Sequence, residues 1–220
     1  VASRTIASRS NPIPNEAIEI DGNFDDWQFI EMYPDDPADD ATIDPKRSVD
    51  LVRAAIAHDD YFFYFYLEQA NPVEIPAYVP ATLLDTDLRR STGFRGGSRT
   101  FAYTEVERKV YPTGADYGIA GTNVLFRWDS KGREVDPKFY FDYLGLEYAI
   151  SEDRRKTEYK VPRGMLGYPL EFNVIWFASN YDPRPKEGLI DFYPDEASDK
   201  SAQGHFHYSV RRGTSTKHKR

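Results

Sequence analysis

Cysteine is absent from the 220 residues. That excludes disulfides, thiolate metal sites and a cysteine nucleophile. No run of about 18 apolar residues occurs, so the sequence offers no membrane-spanning helix. Basic charge is scarce: 28 Lys and Arg stand against 36 Asp and Glu, a net charge of −8, and a general nucleic-acid binder needs the opposite balance. Helical periodicity is nearly missing; Pro162 to Leu166 is the one stretch that reads as a helical turn. A Gly-x-Ser-x-Gly nucleophile elbow is missing as well. Arg95-Gly96-Gly97-Ser98 is too short for a phosphate loop and lacks its Lys-Ser/Thr ending. These gaps predict a chain without catalytic machinery.

Aromatic residues are abundant at 15%, with 16 Tyr and 14 Phe. They suit a pleated, half-buried surface. Short strand-like segments recur between turn signals: Ala17–Ile20, Val49–Ala57, Tyr61–Leu67, Tyr78–Leu84, Thr100–Tyr111 and Tyr117–Ala120 in the first half. Thr122–Trp128, Phe139–Tyr143, Glu147–Ile150, Thr157–Val161, Phe172–Ser179 and His205–Arg211 continue the series. Tyr61–Leu67 is apolar without interruption and predicts a central strand covered on both faces. The pattern predicts an all-β antiparallel sandwich or jelly roll, with one domain over 16–210. An N-terminal extension, 1–15, and a basic tail, 211–220, flank it. Such tails are expected to fray. A chain that begins at Val1 fits the removal of a signal segment.

Asp85 and Asp87 lie two apart after a strand, and Gly93 closes their loop. Alternating carboxylates of this kind suit a hard cation such as Ca2+, with Asp116 in Gly114-Ala115-Asp116-Tyr117 as a third oxygen donor. The alternative is an Asx-turn, with the same carboxylates accepting backbone N–H bonds. Five Asp between Asp35 and Asp44 read as a solvated loop, a second cation site or a dock for a basic partner. His205 and His207 alternate on one strand face, either as a transition-metal pair or as exposed strand residues. Tyr181 and Arg184, in a Pro-stiffened loop, are candidates for a sugar or protein contact.

Taken in order, several segments resemble the family 9 carbohydrate-binding modules and their wider relatives. They are Ile-Asp-Gly-x-Phe-Asp-Asp-Trp at Ile20 to Trp27, an aromatic strand after Asp59-Asp60-Tyr61, and Asp85-Thr86-Asp87 with Ser91-Thr92-Gly93. Gly114 to Tyr117 and Glu-x-x-Val-Pro-Arg-x-x-Leu-Gly at Glu158 to Gly167 complete the series. The resemblance spans roughly residues 16 to 210. It implies a β-sandwich with structural calcium, no catalytic residues, an extracytoplasmic location (periplasmic or secreted), and a sugar held between aromatic rings. Trp128 and Trp176 are the candidate sugar-stacking residues, since Trp27 belongs to the structural motif. Two other roles remain open. Basic tails on an acidic body (Arg211, Arg212, Lys217, Lys219 and Arg220 at one end) suit an accessory subunit seated on other proteins, including a membrane-attached complex. A haem-carrying electron-transfer subunit shares the sandwich and would need axial ligands; Met32 and Met165 are the only methionines, and neither lies in a recognisable ligand pattern.

Overall fold

The computed structural model describes residues 4–37, 50–72, 81–94, 113–120, 124–135, 139–140, 146–179, 190–194 and 204–210. Among them, twelve strands form two sheets. In chain order they are β1 (Arg4–Arg9), β2 (Leu51–His58), β3 (Phe62–Gln69), β4 (Ala81–Asp85), β5 (Tyr117–Ala120) and β6 (Val124–Arg127). Then come β7 (Phe139–Tyr140), β8 (Glu147–Ile150), β9 (Lys156–Pro162), β10 (Glu171–Ser179), β11 (Ile190–Tyr193) and β12 (Gly204–Ser209). The larger sheet runs β1-β12-β10-β4-β5-β6-β7, and β11 shares one edge of β10 with β12. The smaller sheet runs β2-β3-β9-β8. Every pairing is antiparallel except β1 with β12. No described helix is long and apolar enough to cross a membrane.

Period-two alternation sorts the side chains of β3. Phe63, Phe65 and Leu67 face the space between the sheets, where they meet Leu84, Phe172, Val174, Trp176, Phe206 and Tyr208. Tyr64 and Tyr66 face the other way, into a second cluster with Trp27 and Ile18. The segment before β2 thus roofs the smaller sheet, and β3 is covered on both sides as its sequence requires. A third cluster covers the outer face of the larger sheet, with Leu83, Phe177, Phe126 and Phe94.

Two expectations are corrected. Residues 4–9, placed in a fraying extension, form β1 on the edge of β12. Ala17–Ile20 is not a strand: Ala17 N–H donates to the Pro14 carbonyl, and side chains take Glu19 N–H and the donors of flanking residues. Glu16 N–H donates to Asp59, Glu19 N–H to Asp26, and Asp21 and Gly22 N–H to Glu158. Glu158 also accepts the Trp27 indole N–H at 2.8 Å, which pins the Ile20–Trp27 motif to β9. Burial pushes its carboxyl up to about 7, against these three donors. Thr100–Tyr111 lies outside the described residues.

Candidate functional site

Antiparallel pairing of β4 with β5 sets Leu84 opposite Tyr117, so Asp85 and Asp116 leave their strands side by side. The described residues that flank them approach closely. Phe94 N–H donates to the Ala115 carbonyl at 2.7 Å, and Gly93 and Gly114 both have positive φ, 63° and 80°. A Cβ on Gly93 would overlap the Ala115 carbonyl, and one on Gly114 would sit 2.5 Å from the Arg90 Cα. Glycine is required at both positions because two backbones nearly touch there.

This closure gathers Asp85, Asp87 and Asp116, each offering a carboxylate oxygen within 4.8 Å of the others. Asp116 Oδ2 accepts from Thr86 N–H, the Thr86 hydroxyl and Asp87 N–H. Asp87 accepts from Arg89 N–H and the Thr92 hydroxyl. Asp85 has weaker partners, Arg89 N–H at 3.1 Å and the Asn173 amide at 3.3 Å. Burial, together with repulsion from Asp116 and Asp87, pushes Asp85 up to about 7. Burial also raises Asp116, against its hydrogen bonds. The donor set is all oxygen and anionic, which suits a hard divalent cation, and such a cation would relieve the repulsion. The Asx-type bonds are present at the same carboxylates, so the two readings of this loop are not exclusive.

Neither indole proposed for sugar stacking is available. Trp176 is 0% exposed, between the sheets, with ring centres of Tyr33 and Tyr193 each 5.6 Å away. Trp128 is 4% exposed and packs on Phe94 at 5.0 Å under the third cluster. Both rings plug apolar cores, where large aromatic side chains gain most from burial. Met32 packs on the roof of the smaller sheet and Met165 against the central core, both as packing residues. His205 is buried rather than exposed, its ring nitrogen 2.9 Å from the Thr5 hydroxyl, while His207 meets Asn173 at 3.1 Å. Asp35 forms a bidentate pair with Arg53. Tyr181, Arg184, Arg211, Arg212, Lys217, Lys219 and Arg220 lie outside the described residues.

A second concave region lies elsewhere on the sandwich. At one end of the sandwich a cleft of about 730 Å³ opens between Pro12–Asn15, the β2–β3 turn (His58 to Asp60), Arg163, Leu170 and Val210. Its floor is rigid. Asp59 accepts N–H bonds from Glu16, Tyr61 and Phe62 and the Tyr64 hydroxyl bond. Burial would raise this carboxyl, but those donors outweigh it and hold it below the usual range. His58 bonds the Tyr208 hydroxyl at 2.7 Å, and burial and nearby Arg163 push it down to about 4, so it is neutral.

Arg163, which lines the cleft, opens a 3-10 turn beside it. Its N–H donates to the Tyr61 carbonyl at 2.8 Å, and its carbonyl accepts from Tyr168 N–H at 2.9 Å. Tyr61 and Tyr168 are 61% and 65% exposed, and Leu170 is 71% exposed. The Tyr168 ring lies over Gly164, where a Cβ would come within 3.2 Å of it. Its backbone is left-handed, φ 55°, a costly conformation for an aromatic residue and one concentrated at functional positions. Sequence reasoning passed over these two tyrosines. Tyr61 looked like the first residue of a core strand; only the Gly164 and Gly167 punctuation around the turn hinted at Tyr168.

No family model matches the chain, and no curated protein matches it. Among solved structures it is similar to a carbohydrate-binding module family 9 from Caldicellulosiruptor kristjanssonii in complex with glucose. The two are 12% identical, the match covers 96% of this chain and 98% of that one, and the TM-score is 0.49.

Proposed function

We propose that this chain is a non-catalytic carbohydrate-binding domain whose ligand lies in the cleft between Asn15, Asp60 and Arg163. One observation carries this reading: a cleft lined by Asn15, Asp60, Arg163 and exposed Leu170, next to two exposed tyrosines, Tyr61 and Tyr168, whose backbones hydrogen-bond the Arg163 backbone. Large aromatic faces left in water are expensive, and sugar rings present C–H faces that stack on them while their hydroxyls seek polar neighbours. Amide, carboxylate and guanidinium groups stand at the cleft wall. The order of sequence motifs points to the same class of ligand and to a place outside the cytoplasm. We also propose that Asp85, Asp87 and Asp116 hold a calcium ion with a structural role.

Glycan-array screening followed by titration calorimetry tests the first proposal. Saturable binding that Tyr168→Ala and Tyr61→Ala each weaken, with unchanged melting, is the expected result. Binding that survives both substitutions refutes the site.

A further inference from the structure

The three aspartates of the candidate cation site are not held in the same way. Asp116 and Asp87 take their donors from residues 86–92. Asp85 is the most buried of the three, and one of its partners comes from a different strand. Its Oδ1 accepts the Arg89 N–H at 3.1 Å, and its Oδ2 accepts the Asn173 amide of β10 at 3.3 Å. The register explains that contact. Asp85 stands directly opposite Asn173, and Asn173 directly opposite His207 on β12. Phe172, Val174, Phe206 and Tyr208 face the space between the sheets, so this row lies on the outer face of the larger sheet.

The row has one hydrogen-bond polarity that suits a cation. An ionised carboxylate only accepts, so the Asn173 group facing Asp85 is the NH2. Its Oδ1 is left for His207 Nδ1, 3.1 Å away, and that nitrogen must then carry a proton. The other ring nitrogen, Nε2, lies 3.5 Å from Glu171 Oε2, so the ring is held from both sides. A ring without the Nδ1 proton would draw the Asn173 NH2 to itself and turn the amide oxygen onto Asp85. The Asp85 carboxylate would then face a third oxygen where it now has a donor.

We propose that His207 is a positioning residue for the cation: acting through Asn173, it fixes the Asp85 carboxylate in the orientation that binds. Groups one step behind the ligands typically contribute about 10–100-fold to metal affinity, because they remove the freedom of a ligand to turn away. His207 is then neither a transition-metal ligand nor a bare strand residue. Two strands that carry no cation ligand of their own, β10 and β12, thereby support the site. This inference rests on the calcium reading above.

The test is calorimetric titration of the whole chain with calcium chloride, paired with melting in EDTA. His207→Phe keeps a ring and removes the donor; Asn173→Ala removes the amide. Each should weaken calcium binding at least about tenfold while melting in EDTA moves little. The double variant should bind no more weakly than Asn173→Ala alone, because His207 acts only through the amide. His207→Asn sets an amide N–H near the place of Nδ1 and should recover most of the affinity. Where a variant melts early in EDTA, the unmodified chain decides: nitrogen NMR of its histidines should find a proton on His207 Nδ1 with calcium bound. Full affinity in His207→Phe, additive losses in the double variant, no recovery in His207→Asn, or an Nδ1 without its proton overturns the inference and leaves the calcium site standing. Absence of calcium binding by the unmodified chain overturns both.

Discussion

Replacing Asp85 by Asn separates the electrostatic cost of the carboxylate triad from its benefit. In the fold, Asp85 is pushed up to about 7. In the unfolded chain an Asp titrates near 3.9. A difference of about three units corresponds to at most about 4 kcal/mol. The folded state holds more protons between those two values, so stability in chelator falls as pH rises from about 4 to about 7 and stays low above it. Asp85→Asn carries no such slope. It keeps the shape of the side chain and an oxygen to accept the Arg89 N–H, at a cost of about 1 kcal/mol for the weaker bond. With chelator at pH 8 the variant should therefore be the more stable protein by about 2–3 kcal/mol. At pH 4.5 the order should close or reverse. Added calcium closes the gap: at 100 times its dissociation constant an ion adds about 2.7 kcal/mol to the wild type and nothing to the variant. Urea unfolding followed by tyrosine and tryptophan fluorescence from pH 4.5 to 8, with EDTA and with calcium, reads all of this. If the difference between wild type and variant in EDTA is independent of pH, the raised carboxyl is refuted. If calcium stabilises both proteins equally, the triad is not its site.

Further outcomes follow from the same contacts. Glu158→Gln leaves at least one of three buried N–H donors facing an amide NH2, at about 1–3 kcal/mol, and should lower the melting temperature while leaving glycan binding intact. Gly93→Ala forces a side chain into a left-handed residue and against the Ala115 carbonyl; it should destabilise by more than 1 kcal/mol and abolish any calcium response. Tyr168→Ala leaves the core untouched, so calorimetry should record weaker glycan binding with a melting curve within a degree or two of wild type. Lowering the pH from 8 to 6 should not affect the cleft through His58, which titrates near 4; a binding transition between those values that His58→Gln removes would contradict its neutral role.

The sequence made the core readable wherever a strand is apolar on both faces or alternates strictly. Glu147–Ile150 and Tyr117–Ala120 have the predicted bounds, β10 begins one residue earlier than predicted, and β3 is shifted by one residue at its start and two at its end. The three aspartates were legible because short-range spacing and one hairpin bring them together. β1 was not, since RTIASR is polar and basic and becomes a strand only by lying along β12, some 200 residues away. The indoles were misassigned because a Trp within or just after a strand reads alike whether it faces solvent or a second packed layer. The cleft has no local signature at all: its walls come from positions 12–15, 58–60, 163, 170 and 210.

The parallel pairing of β1 with β12 has a mechanical consequence. Arg4 lies beside Gly204 and Arg9 beside Tyr208, so the chain enters the sheet at one end of this ladder and leaves at the other, ~16 Å away. A pull on residue 4 and residue 209 in opposite directions loads the β1–β12 ladder lengthwise. Its hydrogen bonds then share the force together instead of opening one by one. The exit point, Val210, also lines the cleft. Tension along the chain would thus reach the ligand wall directly, and a single-molecule stretching trace with and without glycan would record whether occupancy raises the force at which the ladder slips.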